Sequence, residues 1–135
     1  MQTFLPYADF KTTAACLDWR RLGKQRVEVW QILRTLYGES HGWTNHPAIR
    51  MWRGHEFQLA QYGIAICREW ILRGYNDTMI RKIREFDSGI WQPLPFWITS
   101  EFCLSHQSNL IRKLPEYYGP LFPGVSPDLE YVWPV

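Results

Sequence analysis

Arg21, Lys24, Glu28, Gln31 and Thr35 follow one another at spacings of 3, 4, 3 and 4. That rhythm places them on one side of a helix, opposite an apolar stripe. Arg20, Arg21, Lys24, Arg26 and Arg34 surround a single acid, Glu28, and Gln25 lies within the same turns. Clustered guanidinium and ammonium groups hold phosphates, and a carboxylate among cations is favoured in its charged form. The pattern suits an anion-binding face with one base set into it. A solvated helix face carrying a Lys24–Glu28 surface pair has the same spacing.

Three further groups carry polar chemistry. Asn45-His46-Pro47 and Trp52-Arg53-Gly54-His55-Glu56 offer two histidines, an arginine and a carboxylate. His46 and His55 are nine residues apart, which fits no common zinc motif, and His55-Glu56 lacks a second histidine four residues on. His46, Arg53 and His55 are better read as DNA-facing or core hydrogen-bonding groups than as metal ligands. Ser105, Asn109 and Arg112 share a helix face, with Ser108 and Lys113 beside them, a polar-basic stripe suited to phosphates. Adjacent Ser105 and His106 point in different directions on a helix, and no nucleophile-elbow motif supports a Ser-His hydrolase. Tyr117 and Tyr118, with Tyr131 and Trp133 further on, offer rings that stack on bases or that staple a tail to the core.

The elements that must position these groups read as helices, with no segment that reads as a strand. Residues 1–9 form an extended arm and a short helix follows from about Asp9 to Asp18. Leu22, Val29, Leu33 and Leu36 recur at helical spacing, so a helix spans Leu22–Tyr37 and Gly38 stops it. After a loop, Pro47 opens a long helix to Arg73, with Gly74 as its stop. A short helix covers 77–86. Residues 87–98 are a packed loop, and Thr99 or Ser100 caps a helix to Leu114. The tail from Tyr117 on is irregular but anchored. The fold class is all-α, a single domain over 1–135 of four to five helices with an aromatic, Pro-rich tail.

Composition sets the outer bounds. Apolar residues make up 46% of the 135 and charged residues 21%, enough for a packed core. No apolar run approaches the ~18 residues of a membrane span, and the N-terminal residues lack the basic and apolar regions of a signal peptide. Three cysteines without metal-type spacing point to a reducing, cytoplasmic setting. A net charge of +2 is weak for a nucleic-acid binder, so any basic surface must be local. Eight Trp leave room for a stacking surface beyond the core.

Several of these residues also occur as an ordered set of markers. Arg26-Val27 matches an Arg-Val, and Gly54-His55 a Gly-His, of the pyrimidine-dimer DNA glycosylases, the UV-repair endonuclease V type. Leu72-Arg73-Gly74-Tyr75-Asn76 is similar to their Leu-Lys-Arg-Gly-Phe-Asn, and Tyr117-Tyr118-Gly119 to their Tyr-Tyr-Gly. The chain resembles that family over most of its length, with the markers in the same order. The resemblance implies a metal-free, cofactor-free all-α DNA glycosylase with AP-lyase activity. Its partner would be double-stranded DNA carrying a damaged or modified pyrimidine, met by a monomer. The N-terminal α-amine would attack C1′ and form an imine, and a carboxylate on the basic helix would assist. An α-amine ordinarily titrates at about 7.7–8.0, so a neutral fraction exists near pH 7.

The chain departs from that family at two places. The family's mature chain starts with Thr, whereas bulky Gln2 here implies a retained Met1, whose amine would be the nucleophile. The family's Glu falls at Gly23, so Glu28 is the nearest acid available as the second catalytic residue. The missing Glu keeps open a binding module that recognises damaged or modified DNA without cutting it. The near-neutral charge keeps open an enzyme acting on a free nucleoside.

Overall fold

A computed structural model describes residues 1–135 as seven helices without strands: α1 Phe10–Cys16, α2 Trp19–Leu36, α3 Pro47–Trp52, α4 Glu56–Leu72, α5 Ile80–Arg84, α6 Ser100–Lys113 and α7 Pro115–Leu121. Local signals account for most of the boundaries. The Asp18 carboxylate accepts from Arg21 N at the start of α2, and Thr99 Oγ1 accepts from Phe102 N at the start of α6. Gly38 and Gly74 end α2 and α4 with φ of +80° and +93°, a conformation glycine adopts without a steric penalty.

Helix α4 runs through the middle, against α1, α2 and α5. Gly63 lets them approach: a Cβ there would stand 2.6 Å from Val29 Cγ1 on α2 and 3.1 Å from Ile83 Cδ1 on α5. One continuous core gathers Leu22, Ile32, Leu33, Leu59 and Ile66 with Trp52, Phe102 and Tyr118. No helix is long and apolar enough to cross a membrane.

The expected N-terminal arm is part of the interior. Thr3, Phe4, Leu5 and Pro6 are all buried. Burial of Phe4 and Leu5 contributes about 3–6 kcal/mol, too much for a loose arm. The segment has no partner strand, so side chains bond its main chain. Gln25 accepts from Phe4 N at 3.0 Å, and the Tyr62 hydroxyl donates to Phe4 O at 2.6 Å. His106 Nδ1 accepts from Leu5 N at 2.9 Å, and Gln107 donates to Pro6 O at 2.8 Å. The Trp52 indole donates to Thr3 Oγ1 at 2.9 Å. Helices α2, α3, α4 and α6 thus all grip one short segment.

His106 makes this grip acid-sensitive. Its Nδ1 accepts the hydrogen bond from Leu5 N–H, so the neutral ring carries its hydrogen on Nε2, which has no partner. Burial pushes its pKa from 6.5 down to about 3. The folded value lies below the unfolded one, so the stability it brings is complete above about pH 6.5. It is lost as pH falls toward 3, at about 1.4 kcal/mol per unit. Urea unfolding at pH 7 and pH 4.5 should therefore differ by about 2–3 kcal/mol. His106→Gln should be less stable at pH 7 and lose less on acidification; an equal loss in both proteins would refute the assignment.

Three expectations need correction. The helix expected over Pro47–Arg73 is two, because Gly54 sits at φ +86° and ends α3. The tail is not irregular from Tyr117: Pro115 occupies the first turn of α7, where its missing N–H costs nothing. The helix count is consequently seven, not four to five.

Candidate active site

An open cleft of about 1200 Å³ lies where the N-terminal residues, the first turns of α2, His46, the end of α4 and the α6–α7 corner meet. Met1, Gln25, Glu28 and His46 are among the residues that line it. Glu28 is only 8% exposed, and its Oε2 accepts from Gln25 Nε2 at 2.7 Å. Lys24 reaches Glu28 Oε1 only to 3.8 Å and is itself 75% exposed, so that pair is a weak surface contact. Burial, then the Glu28 charge, hold the Tyr131 hydroxyl above its usual pKa; the same two causes lead for Tyr62. The carboxylate thus sits among polar groups with one edge on the cleft.

His46 caps α3. Its Nδ1 accepts from Ala48 N at 3.0 Å, which leaves the ring proton of the neutral form on Nε2. The ring stands edge-on to Trp43 and to Trp133, each with centroids 6.0 Å away. Burial, then the charge of the N-terminal ammonium, push its pKa below the ordinary value. The chain's amine and His46 therefore feel each other in the same cleft.

The rim is cationic. Arg20, Arg21, Lys24, Arg73 and Lys113 line the cleft, against the carboxylates Asp18 and Glu28. Arg21 is paired with Asp18 at 3.2 Å, and Arg73 with Glu69 at 2.8 Å. Arg20 and Lys113 make no ion pair and Lys24 only the weak one, so these three are available to phosphates. Burial alone would raise the Asp18 carboxyl, but bonds from the Tyr118 hydroxyl and Arg21 outweigh it and hold it below the usual range.

The profile of the pyrimidine dimer DNA glycosylase family matches residues 1–83. The chain belongs to that family. No curated protein and no solved structure matches it. The family acts on DNA carrying pyrimidine dimers, which makes DNA the partner of the chain. The matched residues include Met1, Gln25, Glu28 and His46. Lys113, Leu114, Tyr117 and Trp133, which close the cleft from the other side, lie beyond them.

For a member of the pyrimidine dimer DNA glycosylase family, the sequence-predicted residues divide sharply. Met1, Glu28, Arg20, Arg21, Lys24, Gln25, His46, Lys113 and Tyr117 share the cleft. Gln25 is 1% exposed and bonded within the protein, so it offers DNA no face. Arg26 leaves the site altogether. It pairs with the buried Asp77 carboxylate at 2.5 Å and lies over Trp70, 4.4 Å from the ring centroid. Arg53 and His55 do not line the cleft; the His55 ring stands edge-on to Trp97. Tyr118 is fully buried, its hydroxyl bonded to Asp18.

The expected phosphate stripe on α6 is the seat of the C-terminal tail. Arg112 donates to Pro127 O at 2.6 Å and Leu129 O at 2.9 Å, and Asn109 lies beside it. Ser108 Oγ accepts from Leu129 N and buried Ser105 Oγ from Val132 N. Sequence reasoning missed Asp18, Trp19, Gln2 and Arg73 as cleft residues. Asp18 alone carried a signal, as an acid directly before a helix. Gly23, the slot of the family's Glu in the resemblance above, holds no carboxylate for a packing reason. A Cβ there would lie 2.9 Å from the Trp70 ring, which stacks on Tyr75 at 4.1 Å.

Proposed function

We propose that the chain excises a damaged or modified pyrimidine from duplex DNA as a monomer, with the Met1 α-amine as nucleophile and Glu28 as the assisting carboxylate. The supporting observation is that the chain's amino end and the buried Glu28 line one cleft whose rim carries Arg20, Lys24 and Lys113. The rim cations would take the flanking phosphates, and an extruded nucleotide would enter the cleft. The amine lone pair then forms a bond to C1′ while the C1′–base bond breaks. The base leaves with that electron pair and takes up a proton. Loss of the amine proton and ring opening give an imine. Removal of a C2′ proton expels the 3′ phosphate, which cuts the strand. Glu28 would take protons in this sequence, and His46 Nε2–H would give one to the departing base.

The second reading is a binding module that recognises the lesion without cutting. It is favoured by one observation, the indole that fills the Gly23 slot.

Borohydride, which reduces an imine to a stable amine, decides between them. The test uses undamaged, abasic and thymine-dimer duplexes. A covalent band with the dimer and the abasic duplex is expected, and none with undamaged DNA. Lesion-selective binding with no band, and no cleavage or base-release product on a denaturing gel, would establish the binding module instead.

A further inference from the structure

Gln25 carries a bonding pattern that neither burial nor helix propensity requires. Its Nε2 donates to Gln2 O at 2.9 Å and to Glu28 Oε2 at 2.7 Å. Its Oε1 accepts from Phe4 N at 3.0 Å. The Tyr62 hydroxyl stands 2.8 Å from the same oxygen and 2.6 Å from Phe4 O, with one proton to share between them. Two acceptors around Nε2 and an N–H donor at Oε1 leave the amide a single orientation.

The contacts to Gln2 O and Phe4 N are those the N–H and C=O of one residue in a parallel neighbouring strand would make. One side chain from α2 thus stands in for one residue of a strand. Its remaining hydrogen holds the carboxylate. Once the Gln2 carbonyl is fixed, only ψ of Met1 and φ and ψ of Gln2 separate it from the amine nitrogen. We infer that Gln25 is a positioning residue for the reaction, its amide setting the reach of the Met1 amine relative to Glu28. This rests on the amine chemistry proposed above, and it assigns no contact between Gln25 and DNA.

The test compares the full-length wild type with Gln25→Asn, which keeps the amide but shortens its reach, and Gln25→Met, which keeps the length and removes every bond. An abasic duplex at saturating concentration and borohydride give the single-turnover trapping rate. Duplex Kd and thermal melting are measured beside it. Misplacement by ~1 Å costs about 10²-fold in rate. Both variants should lose about that much while Kd moves less than about threefold, because the rim cations are untouched. Tyr62→Phe removes only the shared hydroxyl and should trap about tenfold more slowly; it decides the matter if the Gln25 variants fail to fold. A folded Gln25 variant, or Tyr62→Phe, that traps at the wild-type rate overturns the assignment alone. A rate loss matched by an equal loss of duplex affinity overturns it too. Wild type that traps no abasic duplex removes the imine chemistry itself, and the assignment with it.

Discussion

Glu28→Gln should leave the protein folded and bound to duplex DNA while slowing base release by about 10²–10⁴-fold, the usual weight of a positioned proton acceptor. The substitution is close to isosteric. Its carbonyl oxygen can still accept from Gln25 Nε2, the bond Glu28 Oε2 accepts at 2.7 Å. The Lys24 contact that disappears is 3.8 Å long and reaches an exposed ammonium, so its loss costs at most about 1 kcal/mol. Removing a negative charge from beside a cationic rim favours the binding of a polyanion such as DNA. The variant should hold a lesion-bearing duplex at least as tightly as the wild type. Single-turnover cleavage and fluorescence anisotropy on the same duplex separate the two effects. A variant that cuts at the wild-type rate would return Glu28 to the status of a structural carboxylate under the N-terminal segment.

Blocking the N-terminal amine should have the larger effect. Acetylation removes the proposed nucleophile, whereas an added residue turns the Met1 nitrogen into an amide and carries a new amine one residue away; both leave Arg20, Lys24 and Lys113 at the rim. Trapping on abasic DNA should drop by about 10³-fold or more, the scale on which loss of a nucleophile acts. Duplex affinity should stay within a few-fold of the wild type. Met1 is half-buried beside His46, so a single extra residue also displaces the amine from the one ring that senses its charge. Acetylation is therefore the cleaner of the two blocks. Undiminished trapping would locate the nucleophile on a side chain instead, with Lys24 the first to examine because its ammonium stands 3.8 Å from Glu28.

The fold was largely legible because its signals are local. Gly38, Gly74 and Thr99 each act within one turn of where they stand, and the spacing of Leu22, Val29 and Leu33 marks the buried side of α2 without reference to anything else. Gly54 was equally local but lay inside a convincing apolar rhythm, which the break does not interrupt. The site was legible only in part, because its groups are defined by what lies across from them. Gln25 reads as an ordinary polar residue on a helix until the N-terminal segment is laid over it. Ser105 and Arg112 read as phosphate ligands because a backbone carbonyl and a phosphate oxygen ask the same thing of a donor. Only the folded chain shows that Pro127 and Leu129 already occupy Arg112. Arg26 carries the same lesson, since the carboxylate that claims it, Asp77, lies 51 residues away.

The threaded N-terminal segment has a kinetic consequence. Leu5 is bonded to a residue 101 positions later in the chain, and Pro6 to the residue 101 beyond it. Contacts of such separation form late, because they close the longest loops. During synthesis the segment leaves the ribosome ahead of α6, and it cannot finish docking until α6 has followed. The last step of folding is then also the step that seats Met1 in the cleft that Glu28 lines. Until that docking is complete, the chain lacks the seated amino end on which the proposed amine chemistry depends.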